Sequence, residues 1–408
     1  MVFSQDYEVL DQCSITVPPA RDDDGDDCED IDTLEAWIRS KLAEMRQKWF
    51  IEAVNFSAYG ATLVHLDRHG KRLLPVYDYL KKTPGWIADK FYDQFGGREA
   101  FSMQTGSPAL EMLNSGYQLF WLKNTRPEIV ARIAYSLHLP QYLSWLFTRQ
   151  PFSDMSSIGC HTGMWDVGKQ GYHTWLKHAG LQNLLPPPSS PFSSIDHGDI
   201  RFGIGLHDSS AALIPYSGLQ TGRVGVLSTG TWNIFLVPGY TRQLTREQYA
   251  ADCLYYYLDQ GHKVAASRLH LGAMVETATQ QLKTAFISTS TSDDLSPTDI
   301  NVFFCEGMLR HDFMEKARAL FTSFGPAYAQ LVHEAADMQL SAIKLLCDPG
   351  DLDVIHINGG FAGNHHFVNA LQTMLPDVKI SVTEFIHASA LGAAMVMQQT
   401  ATGLQQNK

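Results

Sequence analysis

The chain has 408 residues, 45% of them hydrophobic, with 31 basic side chains against 43 acidic ones and a formal charge of −12. Such a length suits roughly two to three domains, each with a sizeable core. The shortage of Lys and Arg, with no basic stretch, argues against nucleic-acid phosphate or an anionic membrane as the main partner. No run reaches the ~18 to 20 apolar residues of a membrane span, and the first thirty residues lack the basic-then-apolar order of a secretion signal, so a cytoplasmic protein is expected.

Residues 21–32, RDDDGDDCEDID, are almost entirely acidic and are expected to stay solvated in a loop. Eight of the acidic residues fall in 22–32, and the rest of the chain carries 31 basic against 35 acidic, so the charge is mostly one loop. Leu34, Ile38, Leu42, Met45 and Trp49 then line one helical face, with Asp32 as cap and Glu35 three positions on. Phe50 to Asn55 and Ala61 to Leu66 read as a β-hairpin, the second strand closed by the turn Asp67-Arg-His-Gly70. His65 and His69 flank that turn and read as solvated residues, not metal ligands. From Ser107 to Leu146 the pattern is helical, with breakers at Pro127 and Pro140. The Pro/Ser-rich stretch from Leu184 to Ile195 is the best linker, and a domain boundary is expected near residue 198.

Beyond it, Phe202 to Tyr216 and Val224 to Leu236 are strand-like, rich in Gly and small residues. A helical region spans about Asp312 to Leu346, broken near Gly325-Pro326, and Val354 to Asn358 reads as a buried strand entering Gly359-Gly360. Ala388 to Met397 is a helix of small residues that another backbone or a flat ligand can approach closely. Cys13, Cys28, Cys160, Cys253, Cys305 and Cys347 are scattered, without zinc or disulfide-framework spacing, and read as buried or incidental thiols. His161, His365 and His366 read as structural or surface residues. No tandem repeat of about 20 to 50 residues is present.

Three segments carry the chemistry. Gly203-Ile-Gly-Leu-His-Asp208 puts a carboxylate at the end of an apolar strand, a good place for a general base. Ser228-Thr-Gly-Thr-Trp-Asn233 supplies hydroxyls and a glycine at a strand end, suited to phosphate oxygens. Asn358-Gly-Gly-Phe-Ala-Gly-Asn364 is a strand-to-helix turn able to admit a purine edge-on. None matches a P-loop or a Rossmann fingerprint, and each alone is only a tight turn.

In this order they resemble the FGGY-type carbohydrate kinases, and the resemblance covers most of the chain. It implies an α/β, two-domain actin-like ATPase (ribonuclease H-like) fold with the active site in the interdomain cleft, residues 1–198 forming the sugar-binding domain and 199–408 the catalytic and ATP-binding domain. Gly205-Leu-His-Asp208 matches the family's catalytic-base element, so Asp208 is implied as the base. Ser228, Thr229, Gly230 and Thr231 match the segment facing the ATP phosphates. Gly359, Gly360 and Asn364, with Ala390-Leu-Gly-Ala-Ala394, match the surroundings of the adenosine. The stretches SPALEMLNSGYQLFW, LHLPQYLSWLFTR and SDMSSIGCHTGMWD are similar to the family's first half, although Arg149 replaces the glycine of one turn.

The His-Asp pair and Ser228-Thr-Gly-Thr-Trp are most similar to rhamnulokinases, with Ser57-Ala-Tyr-Gly60 where those enzymes carry Asp-Thr-Trp-Gly. The implied reaction is transfer of the γ-phosphoryl group of MgATP to a ketose such as rhamnulose, fuculose or xylulose. ATP and Mg²⁺ are the implied cofactors, without a dedicated protein metal site, and a homodimer is an assembly common among relatives. Ser57, Tyr59, Asp78 and His207 are the candidates for sugar contact, and Tyr59 either stacks on a sugar face or simply packs.

The family's opening Asp-x-Gly-x-Thr hairpin has no counterpart in the 408 residues, which start MVFSQDY. The expectation is a first-domain sheet with an exposed edge, and a second reading as a catalytically impaired sugar- or nucleotide-binding relative. A hydrolase of the wider actin-like group fits the Trp- and Tyr-rich first half less well.

Overall fold

The computed structural model describes residues 1–217, 223–259, 261–286, 300–383, 385 and 387–406. In the first half the principal elements are α1 (Ile31–Lys48), β1 (Ala53–Val54), β2 (Ser57–Ala58), β3 (Leu63–Leu66), α2 (Gly85–Asp93), α3 (Arg98–Thr105), α4 (Ser115–Thr125), β4 (Tyr135–His138) and α5 (Leu139–Thr148). Next come β5 (Ser194–His197), β6 (Ile200–Gly203), β7 (Leu206–His207) and α6 (Asp208–Ser217). The second half adds β8 (Val224–Thr229), β9 (Asn233–Pro238), β10 (Cys253–Asp259), β11 (His262–Leu269), α7 (Leu271–Ala285), α8 (Phe324–Leu346), β12 (Val354–Gly359), α9 (His365–Met374), β13 (Lys379–Val382) and α10 (Ala388–Gln406).

The second half is organised by a six-stranded sheet in the order β10-β11-β9-β8-β12-β13. β8, β12 and β13 run parallel, while β8–β9, β9–β11 and β11–β10 are antiparallel. The buried apolar runs of β8 and β12 suit strands covered on both faces, and α8 packs beside α9, α7 and β11. The meander β10–β11, in which Tyr255, Tyr256 and Tyr257 are buried, was not anticipated from sequence.

The first half departs from expectation in instructive ways. Phe50–Asn55 and Ala61–Leu66 do not form a hairpin: β1 pairs in parallel with β6, and β3 pairs antiparallel with β4, about seventy residues away. All four residues of β3 are buried, and a strand of that kind finds its partner in the core and not across the nearest turn. The Asp67–Gly70 turn forms as expected, with Asp67 Oδ1 accepting from the amides of His69 and Lys71 and Gly70 at φ +79°. His65, expected in solvent, is fully buried and bonds Ser136 Oγ through Nδ1 at 2.9 Å.

The cap of α1 is Asp30, whose carboxylate accepts from Thr33 N at 3.0 Å, and Asp32 lies in the first turn. Pro127 and Pro140 stand in the first turns of helices, which they start and do not interrupt, and β4 intervenes in the stretch read as helical. α6 begins at Asp208, inside the stretch read as strand. In the later helical region the break falls at 321–323, and Gly325-Pro326 belongs to the first turn of α8.

The acidic loop is not simply solvated. The ammonium of Lys81, with only 3% of its side chain exposed, lies 2.7 Å from Asp22, 3.1 Å from Asp24 and 2.6 Å from Asp26. Asp22 also accepts from the amides of Asp24 and Asp26, and these contacts hold its carboxyl below the ordinary range against the opposing effect of burial. The loop is thus fastened to the turn after Tyr77.

One apolar core runs through both halves. Phe91 of α2 is its densest point, with ring centroids of Tyr92, Phe95, Phe101, Tyr117, Phe120 and Trp175 at 5.1 to 5.6 Å. Truncating a fully buried ring of this kind to Ala costs about 3–5 kcal/mol. The expected boundary at residue 198 falls in the β5–β6 turn, and pairing to first-half strands continues through β7.

On its other side β1 has no strand partner among the described residues. A cavity of about 1130 Å³ lies there, walled by α1, α10 and residues 1–13. No helix of the described residues is long and apolar enough to cross a membrane.

Candidate active site

Backbone geometry places Asp208. Gly205 has φ +83°, and a Cβ there would stand 2.3 Å from the carbonyl oxygen of Pro140, so only glycine lets the chain pass this close to α5. The chain then enters β7, which pairs in parallel with β2 so that Leu206 faces Ser57 and His207 faces Ala58. Asp208 follows as the first residue of α6, with 42% of its side chain exposed, at a helix end that favours negative charge. Its Oδ1 accepts from Ser209 N at 2.6 Å and lies 3.5 Å from His207 Nε2.

His207 is buried. Burial pushes its ring below the ordinary histidine range, and the Asp208 carboxylate opposes that. Its amide donates to Ser156 Oγ at 3.0 Å, and Ser156 in turn donates to Asp154. Asp154 is fully buried, and desolvation outweighs its hydrogen bonds from Ser156 and Ser157, pushing its carboxyl up to about 7. A hydrogen-bonded chain therefore ties a first-half carboxyl group to the strand that carries the candidate base.

Among the sugar-contact candidates, Ser57 is brought beside β7 and its Oγ is buried without a hydrogen-bond partner. Tyr59 is engaged: its hydroxyl donates to Glu29 at 2.6 Å and its ring meets Tyr79 edge-on at 5.6 Å. Asp78 closes a turn by accepting from Leu80 N at 2.6 Å. Tyr79 is raised above the ordinary tyrosine range, first by burial and then by the charges of Asp78, Glu29 and Asp208, which places these groups together. Glu29 and Tyr79 were not singled out from sequence, because nothing in their local pattern separates them from an acidic loop and an aromatic turn.

The phosphate-type turns meet through sheet register. β8 and β12 pair so that Thr229 faces Gly359, bringing both turns to one edge. Thr229 Oγ1 donates to Asn358 O at 2.5 Å and accepts from Phe361 N at 2.9 Å, while Thr229 O accepts from Gly360 N at 2.9 Å. Gly359 has φ +82°, and a Cβ on it would sit 1.9 Å from Thr229 O. Thr229 and Gly359 thus build the junction, and Ser228 precedes it within β8. Gly230, Thr231, Gly360 and Asn364 line a cavity of about 240 Å³, together with Gly272, Val275, Glu276, Tyr328 and Phe361.

Asn364 caps α9 through Phe367 N and donates to Tyr328 at 2.9 Å. Gly272 touches the second turn backbone to backbone, since a Cβ on it would lie 1.7 Å from Gly230 O. The sequence offers no motif for Gly272 or Tyr328, which reach the cavity from α7 and α8. α10 uses its small residues against α6: a Cβ on Gly392 would be 1.9 Å from Ala211 O, and among the described residues none from α10 lines the 240 Å³ cavity.

A carboxylate stands on one helix end and a glycine-walled cavity lies between two strand ends, and the fold is the two-domain actin-like ATPase fold of sugar kinases. A carbohydrate kinase from Novosphingobium aromaticivorans superposes with a TM-score of 0.81 at 22% identity, covering 98% of this chain and 91% of that one. A ligand-bound xylulose kinase from Lactobacillus acidophilus gives 0.76 at 14% identity, over 98% and 86% of the two chains. Residues 1–190 match the FGGY family of carbohydrate kinases, N-terminal domain. A rhamnulokinase from Yersinia pestis bv. Antiqua (strain Angola) is 25% identical over 90% of this chain and 80% of its own length. The first 190 residues are thus similar to the N-terminal domain of the FGGY carbohydrate kinases, and most of the chain is similar to a rhamnulokinase.

Proposed function

We propose that this chain phosphorylates a ketose, of the rhamnulose, fuculose or xylulose type, with ATP as donor and Asp208 as the base. The observation that carries the reading is the half-exposed Asp208 carboxylate at the start of α6, held by β7–β2 pairing in the same molecule that brings the two glycine turns together. The working division is 1–198 for the sugar side and 199–408 for the base and the nucleotide.

In this reading Asp208 Oδ2 or Oδ1 receives the proton of the attacking sugar hydroxyl as the oxygen reaches phosphorus. Ser57 Oγ and the His207 ring orient the sugar, and Ser57 Oγ is a buried hydroxyl still lacking a partner. Gly230, Thr231 and Gly360 present backbone and hydroxyl groups to the phosphates, while Asn364 and Tyr328 face the nucleoside. The donor set fits a nucleotide: open space beyond Gly360, where a Cβ would meet nothing within 4 Å, admits a phosphate chain that side chains would fill. Mg²⁺ supplied with the nucleotide neutralises charge on the β- and γ-phosphates. Positioning and charge stabilisation carry most of the rate in such a reaction.

The test is an assay coupled to ADP release over a ketose panel, run on the parent and on Asp208→Ala. The expected result is ATP consumption dependent on one ketose, lost in the variant. Undiminished turnover in Asp208→Ala would remove the base assignment, and nucleotide and sugar binding without turnover in the parent would favour the impaired-relative reading.

A further inference from the structure

Behind Asp208 the His207 ring meets two side chains, Cys160 and His161, that the proposed phosphoryl transfer does not use. Cys160 Sγ, a ring nitrogen of His161 and a ring nitrogen of His207 all lie within 4.8 Å of one another, and all three residues are buried. The Cys160 Sγ to His207 Nε2 distance is 3.5 Å. Around a tetrahedral zinc ion with Zn–S near 2.3 Å and Zn–N near 2.0–2.1 Å, adjacent sulfur and nitrogen ligands stand about 3.6 Å apart. His207 Nε2 is also 3.5 Å from Asp208 Oδ1, which leaves a carboxylate or a water for a fourth position.

Two further observations point to a ligand. The Nδ1 atom of His161 is buried without a hydrogen-bond partner, polar capacity that a packed interior normally satisfies. His161 also adopts φ +35°, a left-handed conformation unfavourable for a side-chain-bearing residue, and its carbonyl is held by Asn114 Nδ2 at 2.6 Å. The Tyr256 ring lies against both imidazoles, with centroids at 6.3 Å from His161 and 5.8 Å from His207.

We infer that Cys160, His161 and His207 form a binding site for a zinc-class divalent ion beneath the sugar side of the cleft. On loading, the Cys160 S–H bond breaks, its proton leaves to the buffer, and the thiolate and two imidazole lone pairs bond the ion; no oxidation occurs. Thiolate and imidazole select such an ion over Mg²⁺, which takes oxygen ligands. The ion would staple the turn at 159–163 to β7. Because it takes the His207 ring beside Asp208, the loaded protein is a blocked kinase, a consequence that rests on the proposed function.

The full chain, stripped with EDTA, is titrated with Co²⁺ as a spectroscopic stand-in. The expected result is a thiolate-to-cobalt charge-transfer band saturating at one equivalent and erased by Zn²⁺. The band disappears in Cys160→Ser, and Co²⁺ binding weakens by at least about tenfold in His161→Gln. Absence of the band in the parent, or an unchanged band in folded Cys160→Ser, overturns the inference. Should Cys160→Ser fail to fold, His161→Gln decides, with undiminished Co²⁺ affinity counting against the site. Asp208→Ala retains the band, so failure of the metal site and failure of the base assignment are read separately.

Discussion

In the proposed reading, the sugar side and the phosphate side of the cleft are built on opposite principles. At the phosphate side Thr229, Gly230, Gly359, Gly360 and Gly272 meet backbone to backbone, and Tyr328, Phe361 and Asn364 complete the cavity beside them. At the sugar side, side chains from four separated segments converge: Glu29, Ser57 with Tyr59, Asp78 with Tyr79, and His207 with Asp208. At Gly359 and Gly272 the backbone junction is intolerant of a single added methyl, whereas a side-chain cluster tolerates change in shape and fails when a functional group is lost.

The sharpest way to break this comparison is Asp208→Asn. It keeps the shape of the side chain and removes its basicity, so kcat should fall by roughly 10²–10⁴ with the KM for ATP little changed. A parallel rise in the KM for ATP would show that the two sides are not separable. Gly359→Ala probes the other side. The left-handed φ alone costs about 1–2 kcal/mol, and the clash with Thr229 O adds to it. A lowered denaturation midpoint together with weakened ATP binding is expected, and a neutral result would mean that the β8–β12 junction yields.

Asp154→Asn tests the link between the halves. The native carboxyl titrates at about 7 and the unfolded one near 3.9, so between these values the folded protein holds a proton that the unfolded chain has released. Stability therefore falls as pH rises from about 4 to 7, by an amount of the order of a few kcal/mol. The variant should lose that slope and gain stability at pH 8, as read by thermal unfolding across the pH range. The smallest effect is expected for Tyr59→Phe. It removes the hydroxyl bonded to Glu29, costs ~1 kcal/mol of stability, and leaves the sugar KM within a few-fold. A tenfold rise in that KM would make Tyr59 a sugar contact and not a packing residue.

What was legible in the sequence follows the same division. The phosphate-side turns stand out because glycines and hydroxyls are adjacent in the chain at strand ends, as at Ser228–Thr231 and Gly359–Gly360. Tyr328 and Gly272 were not legible, because helices of ordinary composition carry them to the cavity. Likewise Lys81 gives no sign in the sequence that it will fill the acidic loop, and Cys160-His161 lies more than forty residues from His207. The expected hairpin of Phe50–Leu66 failed for a related reason: short apolar strands carry no information about which partner their edges will find.

By itself the sequence supplied the resemblance to carbohydrate kinases, the base candidate Asp208 and the glycine turns, since these are local patterns of residue type and backbone freedom. The tertiary structure alone decided that Tyr59 and Asp78 are engaged in packing and turn formation, that His65 and His161 are buried, and that a thiol and two imidazoles share one pocket. Burial and long-range pairing are properties of the whole packed chain, set by where each apolar strand finds its neighbour, and no short window of residues encodes them.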